Sequence, residues 1–468
     1  MPLVSRPGIR GADYPGIVPE PIVDQPVVDA ATEPPHPARI PWRGISVALG
    51  IAFGLMVAAL GVYAVTLQPL GGQVRRGYAI DPGQVVAGTN LTSPSVEAPS
   101  PQPPEPVPPG LRSWSVSNAG AGSVFALGAA DCSDDVCPVL LRSSDDGTSW
   151  NAVQTFNNAD TSSARGDFVP SVQPDRAITQ TRFLDPQRGY VFGGDLWLTR
   201  DRGQTFSRMP HVGQTVLDVA VDAPRNTVAV LASDGCVQGT CTGPIYLSLI
   251  KPSDNSVSGV TASLVPTIAV SAGSLVLSHG KVFVQVSGSP TGPFDAYAVK
   301  GGALVPMKGP TACRGTGIGA LTGVAGARGL YAVCAPVAAG DRTSYTVIRS
   351  DNDGGSWAVA SVGALVLPAI GQVSLAAPDP SVLVAASGGP RGDVGFVPKG
   401  YAALVRSDNA GRTFSPPTTP PTSATGFDDV IATDDSRLYA IPRTTSGYWT
   451  SDDDATTWRY VDPAVEKR

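Results

Sequence analysis

Ser143-Ser144-Asp145-Asp146-Gly147-Thr148-Ser149-Trp150 decides the fold, because its pattern returns four more times. The copies are Thr199-Arg200-Asp201-Arg202-Gly203-Gln204-Thr205-Phe206, Ser350-Asp351-Asn352-Asp353-Gly354-Gly355-Ser356-Trp357, Ser407-Asp408-Asn409-Ala410-Gly411-Arg412-Thr413-Phe414 and Ser451-Asp452-Asp453-Asp454-Ala455-Thr456-Thr457-Trp458. Each reads as a tight hairpin. An Asp or Asn at the third position turns its side chain back onto backbone N–H groups. The Gly two residues later supplies a positive φ without a Cβ clash. Only Ala455 departs from that glycine. An apolar run precedes every copy, such as Val139-Leu140-Leu141 and Leu196-Trp197-Leu198. The motif therefore joins the third and fourth strands of a repeated four-stranded sheet.

Thr199 follows Ser143 by 56 residues, Ser407 follows Ser350 by 57, and Ser451 follows Ser407 by 44. The 151 residues between Thr199 and Ser350 hold about three such periods. Two units with decayed turns fit there, with strands expected at Val216–Val221, Thr227–Ala232, Ile245–Leu249, Leu275–Leu277, Val282–Val286 and Ala296–Val299, and a turn at Gly301-Gly302. Alternating apolar residues with Gly, Asp and Pro between them extend this all-β reading across residues 114–461.

The five copies resemble the Asp-box, or BNR, repeat of sialidase-type β-propellers. The stretch Arg182-Phe183-Leu184-Asp185-Pro186-Gln187-Arg188-Gly189-Tyr190-Val191-Phe192-Gly193, followed by the second box, is similar to the blade of photosystem II assembly-factor propellers and of sortilin-like ectodomains. The resemblance implies a β-propeller, and the five clear units with the two decayed ones make it seven-bladed, over 111–463. It also implies that the boxes are structural, on the periphery and away from any active site: Asp145, Gly147, Trp150, Asp201, Gly203, Phe206, Asn352, Gly354, Trp357, Asn409, Gly411, Phe414, Asp453 and Trp458.

The sialidase mechanism does not carry over. It needs a Glu to activate a Tyr nucleophile, and residues 106–465 contain no Glu. Arg39-Ile40-Pro41 matches the arginine motif of those enzymes but lies outside the propeller. A glycosidase built on aspartates alone needs two carboxylates at suitable separation. Asp185, Asp218 and Asp429 are candidates, though each reads as a turn or strand-end residue. No catalytic residue, metal ligand or cofactor is assigned. The fold itself hosts many unrelated activities.

Residues 44–67 carry no charge and are about 36 Å long as a helix, enough to span a bilayer. Arg39 and Arg43 precede the segment and Arg75 and Arg76 follow it, so flanking charge does not orient it. All six cysteines lie after it and pair by position as Cys132/Cys137, Cys236/Cys241 and Cys313/Cys334. An even set on one side of a membrane reads as disulfides in an oxidising space. The expected layout is a cytoplasmic tail (1–43), a single-pass anchor (44–67), a Pro-rich stalk (68–110) and an extracytoplasmic propeller. The stripe Gly50-x-x-x-Gly54-x-x-x-Ala58 suits close packing of two anchors into a homodimer. Net charge is −6 with no basic cluster, which argues against nucleic acid as a partner. Arg-Gly-Asp at 165–167 and 391–393 is expected by chance in a chain this rich in those residues.

In such a propeller the loops from strand two to three, and from strand four to the next sheet, share one face. The expected disulfides fall there, as do the insertions 156–176, 388–400 and 415–426. Loops held on a rigid scaffold commonly carry function. The sequence thus points to a non-catalytic platform for protein binding or assembly, with a glycan-binding or glycan-cleaving surface protein as the alternative. A deep axial pocket lined by Trp, Arg and paired Asp would favour the alternative.

Overall fold

The computed structural model describes residues 103–465 apart from 133–135, 158, 160–176, 238–239, 252–255, 289–293, 314–316, 389–395 and 443–444. The tail, the apolar segment 44–67 with Gly50 and Gly54, most of the stalk, both Arg-Gly-Asp tripeptides and much of two insertions lie outside the described residues. Among the described residues no helix is long and apolar enough to cross a membrane.

The chain is all-β. Strands β1 (Arg112–Asn118), β2 (Val124–Asp131), β3 (Val136–Ser143) and β4 (Asn151–Thr155) form an antiparallel sheet in chain order. So do β5 (Ile178–Phe183), β6 (Gly189–Gly193), β7 (Leu196–Thr199) and β8 (Ser207–Met209). Next come β9 (Thr215–Asp222), β10 (Thr227–Ser233), the small hairpin β11 (Cys236–Val237) and β12 (Thr240–Cys241), then β13 (Ile245–Ile250) and β14 (Val257–Leu264). β15 (Ala272–Ser278), β16 (Lys281–Ser287), β17 (Asp295–Lys300) and β18 (Ala303–Pro306) follow. Here β14 and β18 touch through one parallel bridge, Ser263 to Ala303, so two four-stranded groups join at their outer strands. β19 (Ile318–Gly323), β20 (Leu330–Ala339), β21 (Arg342–Ser350) and β22 (Ala358–Val359) make the next sheet, and β23 (Leu365–Pro368) pairs with the far half of β21. β24 (Gln372–Ala376), β25 (Leu383–Gly388) and β26 (Leu404–Ser407) meet the last group, β27 (Phe427–Ala432), β28 (Leu438–Pro442), β29 (Tyr448–Ser451) and β30 (Arg459–Val461), at one parallel bridge, Gly388 to Phe427.

The first strands form a ring. β1 packs on β5, β5 on β9, β9 on β15, β15 on β19, β19 on β24 and β24 on β27, and β28 returns to β1. A closed circle of radially arranged antiparallel sheets is a β-propeller. The strands expected between 215 and 305 are present, and Gly301 and Gly302 turn between β17 and β18 with positive φ.

Strand periodicity builds the core between sheets. Along β2, Val124 and Ala126 face a cluster shared with Tyr439, Ile441 and Tyr448 of the last sheet. Phe125 and Leu127 face the other way, into a cluster with Phe183, Val191 and Trp197. β25 does the same: Leu383 and Ala385 face one neighbour, Val384 and Ala386 the other. The central strands are buried on both faces, so they read as nearly continuous apolar runs.

All five repeated turns lie where the third strand passes to the fourth position. Ser143 Oγ donates to Asp145 Oδ1 (2.8 Å) and accepts from Gly147 N–H (2.8 Å). Asp145 accepts from Ser149 N–H (2.8 Å) and Ser149 Oγ–H (2.6 Å). Asp201 and Asp453 repeat this. In the two Asn copies the last bond reverses, with Asn352 donating to Ser356 Oγ and Asn409 to Thr413 Oγ1. Two consecutive residues are left-handed, the fourth and the fifth, as at Arg202 (φ 67) and Gly203 (φ 85). Each turn wedges against the preceding sheet. A Cβ at Gly203 would sit 2.8 Å from Leu140 Cδ2, and one at Gly147 would sit 2.9 Å from the Tyr448 hydroxyl. Trp150 stacks edge-on against Tyr448, and Phe206 against Phe156. The sequence expected a turn here; the structure adds an inter-sheet contact. Ala455 holds the left-handed backbone (φ 61) without a glycine and is buried in a cluster with Val384, Ala386, Ala403 and Leu404 of the preceding group.

The end of the Pro-rich segment before β1 is joined to the propeller. Glu105, flanked by prolines that have no N–H, exchanges both backbone hydrogen bonds with Ala152 on the outer edge of β4 (2.9 and 2.8 Å), and Val107 packs beside it.

These wedges make a stability prediction. Gly203→Ala adds a clash to a left-handed backbone and should cost about 1–3 kcal/mol. Ala455→Gly relieves the backbone while removing one buried methyl, and should stay within about 1 kcal/mol of the parent chain. Denaturant unfolding checks the contrast. Equal losses in both variants would contradict the wedge.

Candidate functional site

A first strand at the centre of a propeller has no backbone partner on its inner edge. Buried polar groups need hydrogen bonds, so side chains from neighbouring sheets supply them. Thr181 N–H donates to Ser115 Oγ (3.1 Å), and Phe183 N–H to Ser117 Oγ (2.8 Å). Leu275 N–H donates to Asp218 Oδ2 (2.7 Å). Gln285 Oε1 accepts from Leu321 N–H (2.7 Å) while its Nε2 donates to Leu321 O (3.2 Å). Ser374 Oγ accepts from Val430 N–H (3.1 Å) and donates to Asp429 Oδ1 (2.6 Å).

The inner strands enclose an axial cavity of about 450 Å³. It runs from Trp114, Thr179, Gln372 and Asp428 at the beginnings of those strands to Asn118, Asp222, His279 and Asp434 at their ends. Arg182 stands near the end of β5. Its Nη1 donates to Thr181 O (2.9 Å) and Ser115 Oγ (3.3 Å), and its Nη2 to Gln180 Oε1 (3.0 Å), 3.9 Å from Asp218 Oδ1. Burial pushes the Asp218 carboxyl up to about 6, against the pull of Arg182 and of the Leu275 and Val219 N–H groups. Burial also raises Asp429, opposed by Ser374 and Arg182. At the far end burial and the Asp222 charge raise Asp434.

Two expectations therefore change. Asp218 and Asp429 are not turn or strand-end residues. They sit within β9 and β27, next to bulges at Leu217 and Asp428 that break the ladder and aim them inward. Asp185 does serve a turn, accepting from Gln187 and Arg188 N–H (2.8 Å each) and Arg188 Nε–H (2.7 Å). Cys334 faces Ile318 in mid-β20, and beyond it β20 and β21 continue as a hairpin to Ala339 and Arg342.

The three disulfides, Cys132–Cys137, Cys236–Cys241 and Cys313–Cys334, lie at the end of the molecule where second strands pass to third and fourth to first. Cys236–Cys241 closes the β11–β12 hairpin, and Cys313 ends a short 3-10 turn (Thr311–Cys313) before β19. Five large apolar residues at that end are more than half exposed: Val237, Val265, Ile268, Val337 and Phe396. The opposite end carries the repeated turns, where Val362, bonded to Arg412 of the fourth turn, is exposed. Sequence reasoning missed Arg182, Gln285, Ser115 and Ser374. For Ser374 the available signal was a polar residue inside an otherwise apolar first strand, Val373-Ser374-Leu375; Ser115 and Arg182 lie in strands polar throughout much of their length, and Gln285 lies on a second strand. Among the described residues, no three His, Cys, Asp or Glu side chains group so as to hold a metal.

No family model matches this chain, and no curated protein sequence matches it. Similar solved structures include YCF48 bound to a D1 peptide, at 13% identity over 73% of this chain and 95% of that one, TM-score 0.44. YCF48 from Cyanidioschyzon merolae is 14% identical over 78% and 99%, TM-score 0.45. The GH74 xyloglucanase from Xanthomonas campestris is 12% identical over 75% and 66%, TM-score 0.30. The propeller assignment rests on the strand pairing and the ring of contacts, not on these similarities.

The carboxyls give opposed pH dependences. Asp218 is raised, so its contribution is complete below its unfolded value of 3.8 and is lost as pH rises through about 6. Asp145 is held down to about 2: burial opposes this, and hydrogen bonds from Ser149, Ser143 and Thr148 outweigh it. Its contribution is complete above 3.8 and is lost as pH falls toward 2. Unfolding with disulfides intact should show greatest stability near pH 4, with a loss on the order of 3 kcal/mol toward pH 7.5 from Asp218. Asp218→Asn should remove most of that upper limb. A flat profile from pH 4.5 to 7.5 in the unaltered chain would contradict the assignment.

Proposed function

We propose that the chain is a non-catalytic docking platform: a seven-bladed, Asp-box-type propeller that binds or assembles a protein partner through its disulfide-bearing face. The observation that carries this is the set Val237, Val265, Ile268, Val337 and Phe396, more than half exposed at one end of the molecule. Exposed apolar side chains that gather on one face are characteristic of interaction sites. The Cys236–Cys241 disulfide stiffens the hairpin that presents Val237, which lowers the entropy lost on binding. The count of seven takes the two halves of the eight-stranded sheet, and the β24–β26 and β27–β30 groups, as separate blades.

The proposal extends to topology. Residues 44–67 anchor the chain in the cell membrane, 1–43 stay in the cytoplasm, 68–110 form the stalk, and the propeller at 111–463 lies outside, where its disulfides form. Two anchors packing through Gly50 and Gly54 would pair propellers side by side. Protease added to intact cells should release the propeller and spare residues 1–43; the reverse would reject this orientation.

The glycan reading has one observation in its favour, the axial cavity with Trp114, Arg182, Asp218 and Asp429. Against catalysis, both Asp218 oxygens accept backbone N–H bonds, from Val219 and Leu275, so this acid braces the ring.

Ile268→Asp with Phe396→Asp should lower partner capture from native membranes at least tenfold and leave the thermal melt within about 2 °C, since both are surface changes. Val362→Asp, at the opposite end, should leave capture unchanged. Loss of capture with Val362→Asp alone would place the docking surface at the repeated turns.

A further inference from the structure

The axial cavity opens among the beginnings of the inner strands, at the same end as the exposed apolar residues. Its lining holds five aspartates, Asp218, Asp222, Asp428, Asp429 and Asp434, against two arginines, Arg182 and Arg225. Arg225 is committed to Asp222 (3.0 Å) and contacts His279 at the far end. That leaves one guanidinium, Arg182, facing Asp218 from β9 and Asp429 from β27. Buried charges ordinarily have opposite partners, and two carboxylates around one guanidinium fall one positive charge short.

Much of the wall's hydrogen-bonding capacity is already engaged. Gln285 is used on Leu321, Ser115 on Thr181, Ser374 on Val430 and Asp429, and the Arg182 donors on Ser115, Thr181 and Gln180. Asp429 remains half-buried and opens onto the cavity, and a carboxylate only accepts. Trp114 and Phe294 also line the space, and aromatic faces attract cations. A donor-only, positively charged group matches the carboxylate that Arg182 leaves unneutralised.

We propose that the axial cavity receives a cationic side chain, a lysine ammonium or an arginine guanidinium, projected by the protein that docks on the disulfide-bearing face. This rests on the platform reading and adds the partner's chemistry to it. The raised carboxyls agree with a site short of positive charge: at acidic pH a proton takes the place of the cation, so binding strengthens as pH rises.

The test uses the full chain in detergent with fluorotryptophan incorporated, the Trp114 resonance being assigned by Trp114→Phe. Arginine ethyl ester and butylammonium are the cationic probes, a neutral oligosaccharide and acetate the comparisons. The expected result is a saturable shift of the Trp114 resonance with the cations alone, about tenfold tighter at pH 7.5 than at pH 5. Asp429→Asn should weaken it at least tenfold. The pH arm needs no variant, so it stands if that variant misfolds. A shift with the oligosaccharide alone would assign the cavity to glycan, and no saturable shift with either cation, or equal affinity at both pH values, would overturn the proposal. Partner capture sensitive to Ile268→Asp and Phe396→Asp but indifferent to Asp429→Asn would sink this inference and spare the platform; capture indifferent to all three would sink the platform.

Discussion

The ring must close between its first and last sheets, which share no strand: β1–β4 come from one end of the propeller and β27–β30 from the other. Side chains and turns therefore hold the seam. Ser113 donates through both its N–H and its Oγ–H to Ser446 O, Asn118 reaches Asp435, and Arg437 pairs with Asp146 of the first repeated turn. Beside them the Tyr448 hydroxyl lies where only a glycine, Gly147, leaves room, and Trp150 packs edge-on against the same ring. The other repeated turns use the same wedge between sheets adjacent in sequence. At the seam it joins residues some 300 positions apart, where the loop-closure entropy is greatest.

A second consequence follows at the axis. First strands cannot pair with one another, so their inner edges need polar side chains, and the bulges that aim Asp218 and Asp429 inward place carboxyls where water is scarce. The same groups that brace the sheets leave the cavity short of positive charge. Structure and binding chemistry meet in Asp218, which accepts two backbone bonds and still faces Arg182. The repeated turns are the converse: Asp145, Asp201 and Asp453 sit near the surface with carboxyls held low by local donors, and their hydrogen bonds end within the turn.

Much of this was legible in the sequence. Ser143 to Trp150 and its copies located the passage from third to fourth strand because a turn is a local object, fixed by a few adjacent residues. The cysteine pairs were legible for a related reason, since two of them are only five residues apart. What the sequence hid was long-range. Nothing in Gly203 announces Leu140, and nothing in Ser374 announces Val430, because those contacts exist only once neighbouring sheets are set in place. Asp218 and Asp429 read as turn or strand-end residues because an Asp beside apolar residues ordinarily marks a boundary; the bulges that carry them into the cavity have no sequence signature of their own. Glu105 was hidden by its prolines, which suggest a free stalk although its N–H pairs with β4.

If a partner meets the disulfide-bearing end and the repeated turns act only on the fold, photo-crosslinking in native membranes will separate the two ends, with a single photoreactive residue at Val265 in one chain and at Val362 in another, and adducts identified by mass spectrometry. One protein adduct, bearing a lysine or arginine near the crosslinked position, is expected at Val265 and none at Val362. An adduct at Val362 with none at Val265 would contradict this placement.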